Sequence, residues 1–194
     1  MTLNTNPKWV KLAVCAALAG LVLSPGPAAA WSKPDLVAVL DSEQTVPHQP
    51  NEATGIAMFK FSGNGKKLKY KIYVVDLDLD GFVTLDNAGD DVTQIHFHAG
   101  LEGSTGGHIL NVYKLPRQDD KDLEVKPFSG RVKGVWSDRD ENLAGAPSIR
   151  LSDAIGVLCS GLAYVNVHTV DHPTGAIRGQ ILPESKVCER LAEE

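Results

Sequence analysis

Thr93 to Gly100 reads T-Q-I-H-F-H-A-G, with two histidines two residues apart. Side chains of an extended strand alternate between faces, so His96 and His98 leave one face while Ile95 and Phe97 leave the other. Imidazole ligates metals as the neutral base near neutral pH, and sites built of imidazoles suit Zn(II) and Cu(II) alike. A second stretch, Tyr164 to Thr169, reads Y-V-N-V-H-T. There Tyr164, Asn166 and His168 share one face, and Val165 and Val167 the other. If the two strands share a sheet, three imidazoles converge, and His96, His98 and His168 become candidate ligands for a zinc or copper ion. Asn166 and Thr169 stand where a polar side chain would orient a ligand from behind. His108, at the end of a Gly-rich run, and His172, in a turn beside Pro173, are further candidates for a fourth ligand. Arg178 shares a strand face with Ala176 and Gln180. Its planar fork suits an anion or carboxylate beside the imidazoles, and a structural ion pair, for example with Asp171, is the competing reading.

Other chemistries find less support. No Gly-x-Ser-x-Gly elbow is present, and Ser104 and Ser160 lack a base partner in the sequence. The many acids offer nothing that selects a pair for glycoside hydrolysis. Asp76 to Gly81, D-L-D-L-D-G, resembles part of a calcium loop. An EF-hand, however, sets a chelating Glu about six residues after the Gly, where this chain has Asn87. The run is therefore read as a solvated acidic loop. Gly100 to Gly107 is not a phosphate loop, because no Gly-Lys-Ser/Thr follows it.

The elements that must position these residues are short strands. Asp35–Leu40, Ala53–Phe61, Leu68–Val75, Val92–Ala99, His108–Leu115, Val125–Trp136, Gly161–Thr169 and Ala176–Leu182 carry strand-like apolar patterns. Leu68 to Val75 is the cleanest, with Leu68, Tyr70, Ile72 and Val74 set against Lys69 and Lys71. Ser62 to Gly65 reads as a hairpin turn. Phe128, Val132 and Trp136 are assigned to the core. One short helix is expected over Ala154–Leu158, capped by Ser152. The pattern predicts an all-β fold, an antiparallel sandwich or barrel of about seven to nine strands.

Residues 1–30 have the layout of a cleaved secretory signal: Lys8 and Lys11, an apolar run from Leu12 to Leu23, a Pro/Gly break and Ala28-Ala29-Ala30. The run is short for a membrane span, which needs about 20 apolar residues. Residues 31–194 would then form one exported domain, periplasmic or extracellular, with no span after cleavage. Loss of Lys8 and Lys11 makes it more acidic than the whole chain, whose formal charge is −5. No basic patch with interleaved aromatics stands out, and nucleic acid is not an expected partner. Cys159 and Cys188 remain, and an even pair in an oxidising compartment predicts a disulfide.

His96 to Gly100 (H-F-H-A-G), Tyr164 to Thr169, and Pro173 to Ile181 (P-T-G-A-I-R-G-Q-I) together resemble the CHRD, or chordin-type, domain family, from about Asp35 to Leu182. The resemblance implies an extracytoplasmic β-sandwich of Greek-key character. It also brings in protein recognition, since animal chordin is a secreted antagonist of growth factors. An acidic residue commonly precedes I-R-G in this family, and Ala176 takes that place here. The layout is also similar to copper/zinc superoxide dismutases. There His96 and His98 would match the strand pair, His168 the late ligand and Arg178 the guanidinium near copper, while the zinc loop has no counterpart. Three functions follow as expectations: a metal-binding exported protein, a non-enzymatic recognition or adhesion module with structural histidines, and a dismutase-like redox enzyme.

Overall fold

The computed structural model describes residues 33–113, 122–140 and 149–191. The proposed signal at residues 1–30 lies outside the described residues, as do the end of the strand expected over His108–Leu115, most of the charged connection from Arg117 to Glu124 and most of the polar loop from Ser137 to Pro147. Within them the chain forms strands β1 (Leu36–Leu40), β2 (Thr54–Phe61), β3 (Lys67–Val75), β4 (Val92–Ala99), β5 (His108–Tyr113), β6 (Glu124–Lys126), β7 (Arg131–Ser137), β8 (Ala163–Thr169) and β9 (Ile177–Pro183). Helix α1 (Leu151–Cys159) precedes β8, and a five-residue helix α2 (Val187–Leu191) follows β9. The fold is all-β, as the alternation predicts.

All strand pairs are antiparallel, in the order β5-β4-β8-β9-β1-β2-β3-β7-β6. The nine strands make one continuous sheet that curls over on itself. The seam is β1 against β9, where ladder pairing is limited to Leu36–Pro183 and Val37–Leu182, with a further bridge at Asp41–Arg178. At this seam Gly179 is required by space: a Cβ there would stand 2.3 Å from the Val39 carbonyl oxygen. The two halves enclose a shared core. Phe97 of β4 lies 5.3 Å from Phe59 of β2 and 5.4 Å from Tyr70 of β3, both edge-on, and Trp136 of β7 completes the group. Edge-to-face geometry is what ring quadrupoles favour, at about 1 kcal/mol per pair beyond burial. α1 closes one end of the core with Leu151, Ala154 and Leu158.

Four local expectations are corrected. The single strand expected over Val125–Trp136 is a hairpin, β6 and β7, because Pro127 starts a 3-10 turn and Gly130 ends it at φ 55°. Phe128 sits at the tip of that turn, 90% exposed, and is not part of the core. α1 begins at Leu151, so Ser152 lies inside it. The Ser152 N–H is itself served from outside, donating to Asp138 Oδ1 at 2.8 Å, while the Asp153 and Ala154 N–H groups return to the Arg150 carbonyl. Finally, α2 is a second helix. It is tied to α1 by the Cys159–Cys188 disulfide, with Cα atoms 5.3 Å apart.

Candidate metal centre

β4 brings the first two imidazoles. Its Ile95 and Phe97 must point into the core, so His96 and His98 are driven to the opposite face. β8 pairs with β4 in a register that sets Asn166 opposite His96, Tyr164 opposite His98 and His168 opposite Gln94. Gln94, His96 and His98 share a face, so His168 lies one same-face step along from His96. On the other side of β4, a bulge in the β5 ladder sets His108 directly opposite His98. Ring centroids of His96 are 5.1 Å from His168 and 4.1 Å from His108, and His98 lies 4.4 Å from His108.

One ligand nitrogen from each of His96, His98 and His168 lies within 4.8 Å of the others, and all three residues are buried. A tetrahedral zinc ion with nitrogens at about 2.0–2.1 Å holds them about 3.4 Å apart. The rings would therefore close in by roughly 0.7 Å each, which a small χ adjustment supplies. The tautomers are set by the backbone. His98 Nδ1 stands 3.0 Å from the Gly106 carbonyl oxygen, and His168 Nδ1 stands 3.0 Å from that of Pro173. A carbonyl only accepts, so each Nδ1 donates and the ring lone pair lies on Nε2. His98 Nε2 is buried and meets no hydrogen-bond partner among the described residues. Burial pushes the His98 imidazole down to about 4, with the Gly106 carbonyl opposing and His108, His168 and Arg178 adding to the fall. It is a neutral base at physiological pH, as ligation requires.

A roof covers this face. The Gly100–Gly107 loop lies over it, with Gly106 bonding His98, Leu101 O accepting from Arg178 Nη2 at 2.9 Å and Gly100 O accepting from Gln180 Nε2 at 2.9 Å. Tyr164 joins the parts. Its ring stacks on His98 with 4.8 Å between centroids, its hydroxyl accepts from the Gly106 N–H, and the Arg178 guanidinium carbon sits 3.5 Å over it. Because β8 lies between β4 and β9, Tyr164 is interposed between His98 and Arg178. Sequence reasoning gave Tyr164 and the Gly-rich loop no role. The signal available was that Tyr164 shares its strand face with His168.

The remaining candidates divide. Arg178 is buried but pairs with no carboxylate among the described residues, and the ion pair with Asp171 is not formed. Asn166 donates to Thr174 O at 3.2 Å, and the Thr169 hydroxyl accepts from the His172 N–H at 3.1 Å, so both brace the turn after β8 and neither bonds an imidazole. His172 faces Gln49, its Nδ1 3.3 Å from Oε1, and does not join the group. In the acidic loop, Asp78 is consumed by backbone amides. Burial raises its carboxyl, but the amides of Thr84, Asp80 and Val83 outweigh that and hold it at about 2. That carboxylate closes a turn, and no acidic metal group forms among the described residues.

The CHRD domain family model matches residues 36–181. The chain belongs to the CHRD domain family. The match starts with β1 and ends in β9, so it takes in the whole curled sheet. The H-F-H strand, the V-H-T strand and the I-R-G-Q strand of this CHRD domain are the three that build the polar face: β4 and β8 carry the imidazoles, and β9 carries Arg178 and Gln180 around the tight Gly179 seam. No curated protein matches the chain. CHRD domains are extracellular-type domains, and the disulfide is in keeping with that setting. No helix among the described residues is long and apolar enough to cross a membrane.

Proposed function

We propose that this CHRD protein is exported after removal of residues 1–30 and holds a transition-metal ion, zinc or copper, through His96, His98 and His168. The observation that carries the reading is the convergence of three buried imidazole nitrogens within 4.8 Å on a face where two tautomers are fixed by carbonyls. Burying a polar ring without partners is costly, and an ion supplies the missing partner for His98 Nε2. His108, half-buried beside His96 and His98, is the nearest further imidazole and the candidate for a fourth ligand. All-imidazole donors serve Zn(II) and Cu(II) equally. The test is calorimetric titration with each ion. One site per chain is expected, abolished in His96→Ala and His98→Ala, and undiminished uptake in both variants would end the proposal.

Exposed apolar side chains favour a second reading, a recognition or adhesion module in which the histidines are structural. Phe82 is 72% exposed, Leu85 79% and Phe128 90%. That reading predicts no uptake of either ion. A dismutase-like enzyme is the third, tested by a direct dismutation assay on the copper-loaded protein.

A further inference from the structure

The Gly100–Gly107 loop is held down by its backbone alone. Leu101 to Gly107 are all exposed, Leu101 by 62%, so none of these side chains is anchored in the core. What fastens the loop comes from the strands beneath. His98 of β4 donates to the Gly106 carbonyl, and Arg178 and Gln180 of β9 donate to those of Leu101 and Gly100. Tyr164 of β8 accepts from the Gly106 N–H at 3.1 Å. The approach is close enough to demand glycine, since a Cβ on Gly106 would stand 1.5 Å from the Ala99 carbonyl oxygen.

Arg178 is the costly member of this set. A buried charge is ordinarily paired with an opposite one. This guanidinium is 2% exposed, lies over the Tyr164 ring and donates to the Leu101 carbonyl. The acid of the loop, Glu102, attracts it through space without closing an ion pair. A buried cation committed to a loop carbonyl adds nothing to the core, and its effect is to hold the loop in place. The loop is also the weakest wall around the imidazoles. The sheet lies under them, Pro173 holds the His168 end, and His108 fills the β5 side. A segment without buried apolar contacts opens before elements that have them.

We propose that the loop is a gate on the imidazole cluster, latched by Tyr164 and Arg178, and that it sets how fast a metal ion enters and leaves. This rests on the metal reading above. Neither latch residue is among the converging ligands, so both bonds are indifferent to whether the site is filled. They favour the closed gate equally in the empty and the loaded protein, and a contribution common to both states cancels from the binding equilibrium. It does not cancel from the rates, because the gate must open for passage in either direction.

The full mature chain is compared with Tyr164→Phe and Arg178→Met in two measurements. First, in chelator, diethyl pyrocarbonate modifies the imidazoles and peptide mapping reads the rate at each. His48 and His172, which face Ser42 and Gln49 and not the loop, are the references. His98 should react about fivefold faster in Tyr164→Phe and about tenfold or more faster in Arg178→Met, as loss of a neutral and of a charged hydrogen bond brings, with the references unchanged. Second, zinc release to 4-(2-pyridylazo)resorcinol should speed by similar factors. Association should rise with it, so that the calorimetric Kd of Tyr164→Phe moves by less than about twofold. Unchanged His98 reactivity in both variants, or an equal rise at His172, would overturn the gate and leave the metal reading standing. So would faster zinc release matched by an equal loss of affinity, which would mean that Tyr164 holds the ligands and not the entrance. A parent chain that takes up no zinc would instead overturn the metal reading, and with it what the gate admits.

Discussion

Burial holds the His98 imidazole near 4, against an ordinary value of 6.5, and this makes the ring a reporter of the roofed face. In the unfolded chain it takes up a proton as pH falls below 6.5, while in the folded protein it stays neutral until about 4. The unfolded state therefore binds more protons in that window, and stability falls as pH falls through it. For the metal-free protein the loss amounts to on the order of 3 kcal/mol between those limits. Urea unfolding across the window should show that slope, and His98→Gln should flatten it. An unchanged slope in the variant would mean another group is responsible. At this scale the sequence was partly legible. Period-two alternation placed His96 and His98 on one face because Ile95 and Phe97 claim the core. It could not reveal that Gly106 and Pro173 carbonyls fix the tautomers, since those contacts come from loops with no pattern to read.

At the scale of elements, the turn after β8 is what holds His168. Pro173 accepts from its ring, Thr174 accepts from Asn166, and Gly175 closes the turn at φ 134°. A Cβ on Gly175 would lie 2.4 Å from Asn166 Oδ1, in a backbone region that side chains rarely adopt. Gly175→Ala should destabilise the protein by about 1–3 kcal/mol and weaken metal uptake by displacing the His168 acceptor. Parallel melting and titration curves check both effects, and a variant that melts and titrates like the parent would contradict this role of the turn. The sequence identified Asp171 to Gly175 as a turn but could not show what it serves. Element boundaries failed where one residue decided them. Pro127 and Gly130 split an expected strand and threw Phe128 outward, and Asp138, from a distant segment, took the capping role assigned to Ser152. Adjacency of β4 and β8 is a long-range pairing that no local pattern encodes, and in the sequence it stands only as the condition on which the imidazoles would converge.

For the whole molecule, one sheet curled over a single core leaves two faces outside it, and they differ in character. The β4–β8–β9 face is polar and roofed, while the β3–β7 face carries Lys67, Lys69, Lys71, Arg131 and Lys133, the last two paired with Glu124. The tail is held separately, by Cys159–Cys188 across a separation of 29 residues. Closing such a loop stabilises by about 3 to 4 kcal/mol on the chain-entropy model. Reduction should lower the urea midpoint by the corresponding amount yet leave metal affinity unchanged, because α1 and α2 contribute no ligand. Loss of uptake on reduction would show instead that the tail supports the site. Composition revealed the acidity of the chain but not its segregation, since Lys71 and Lys133 are brought side by side only by strand pairing.

In the proposed centre a single ion reaches β4 and β8 together. Crystals of the zinc-loaded protein, with an anomalous difference map measured at the zinc edge, test this most directly. The predicted result is one peak, about 2 Å from a ring nitrogen of each of His96, His98 and His168. A map with no peak among those three rings, or with zinc bound only elsewhere on the chain, would contradict it.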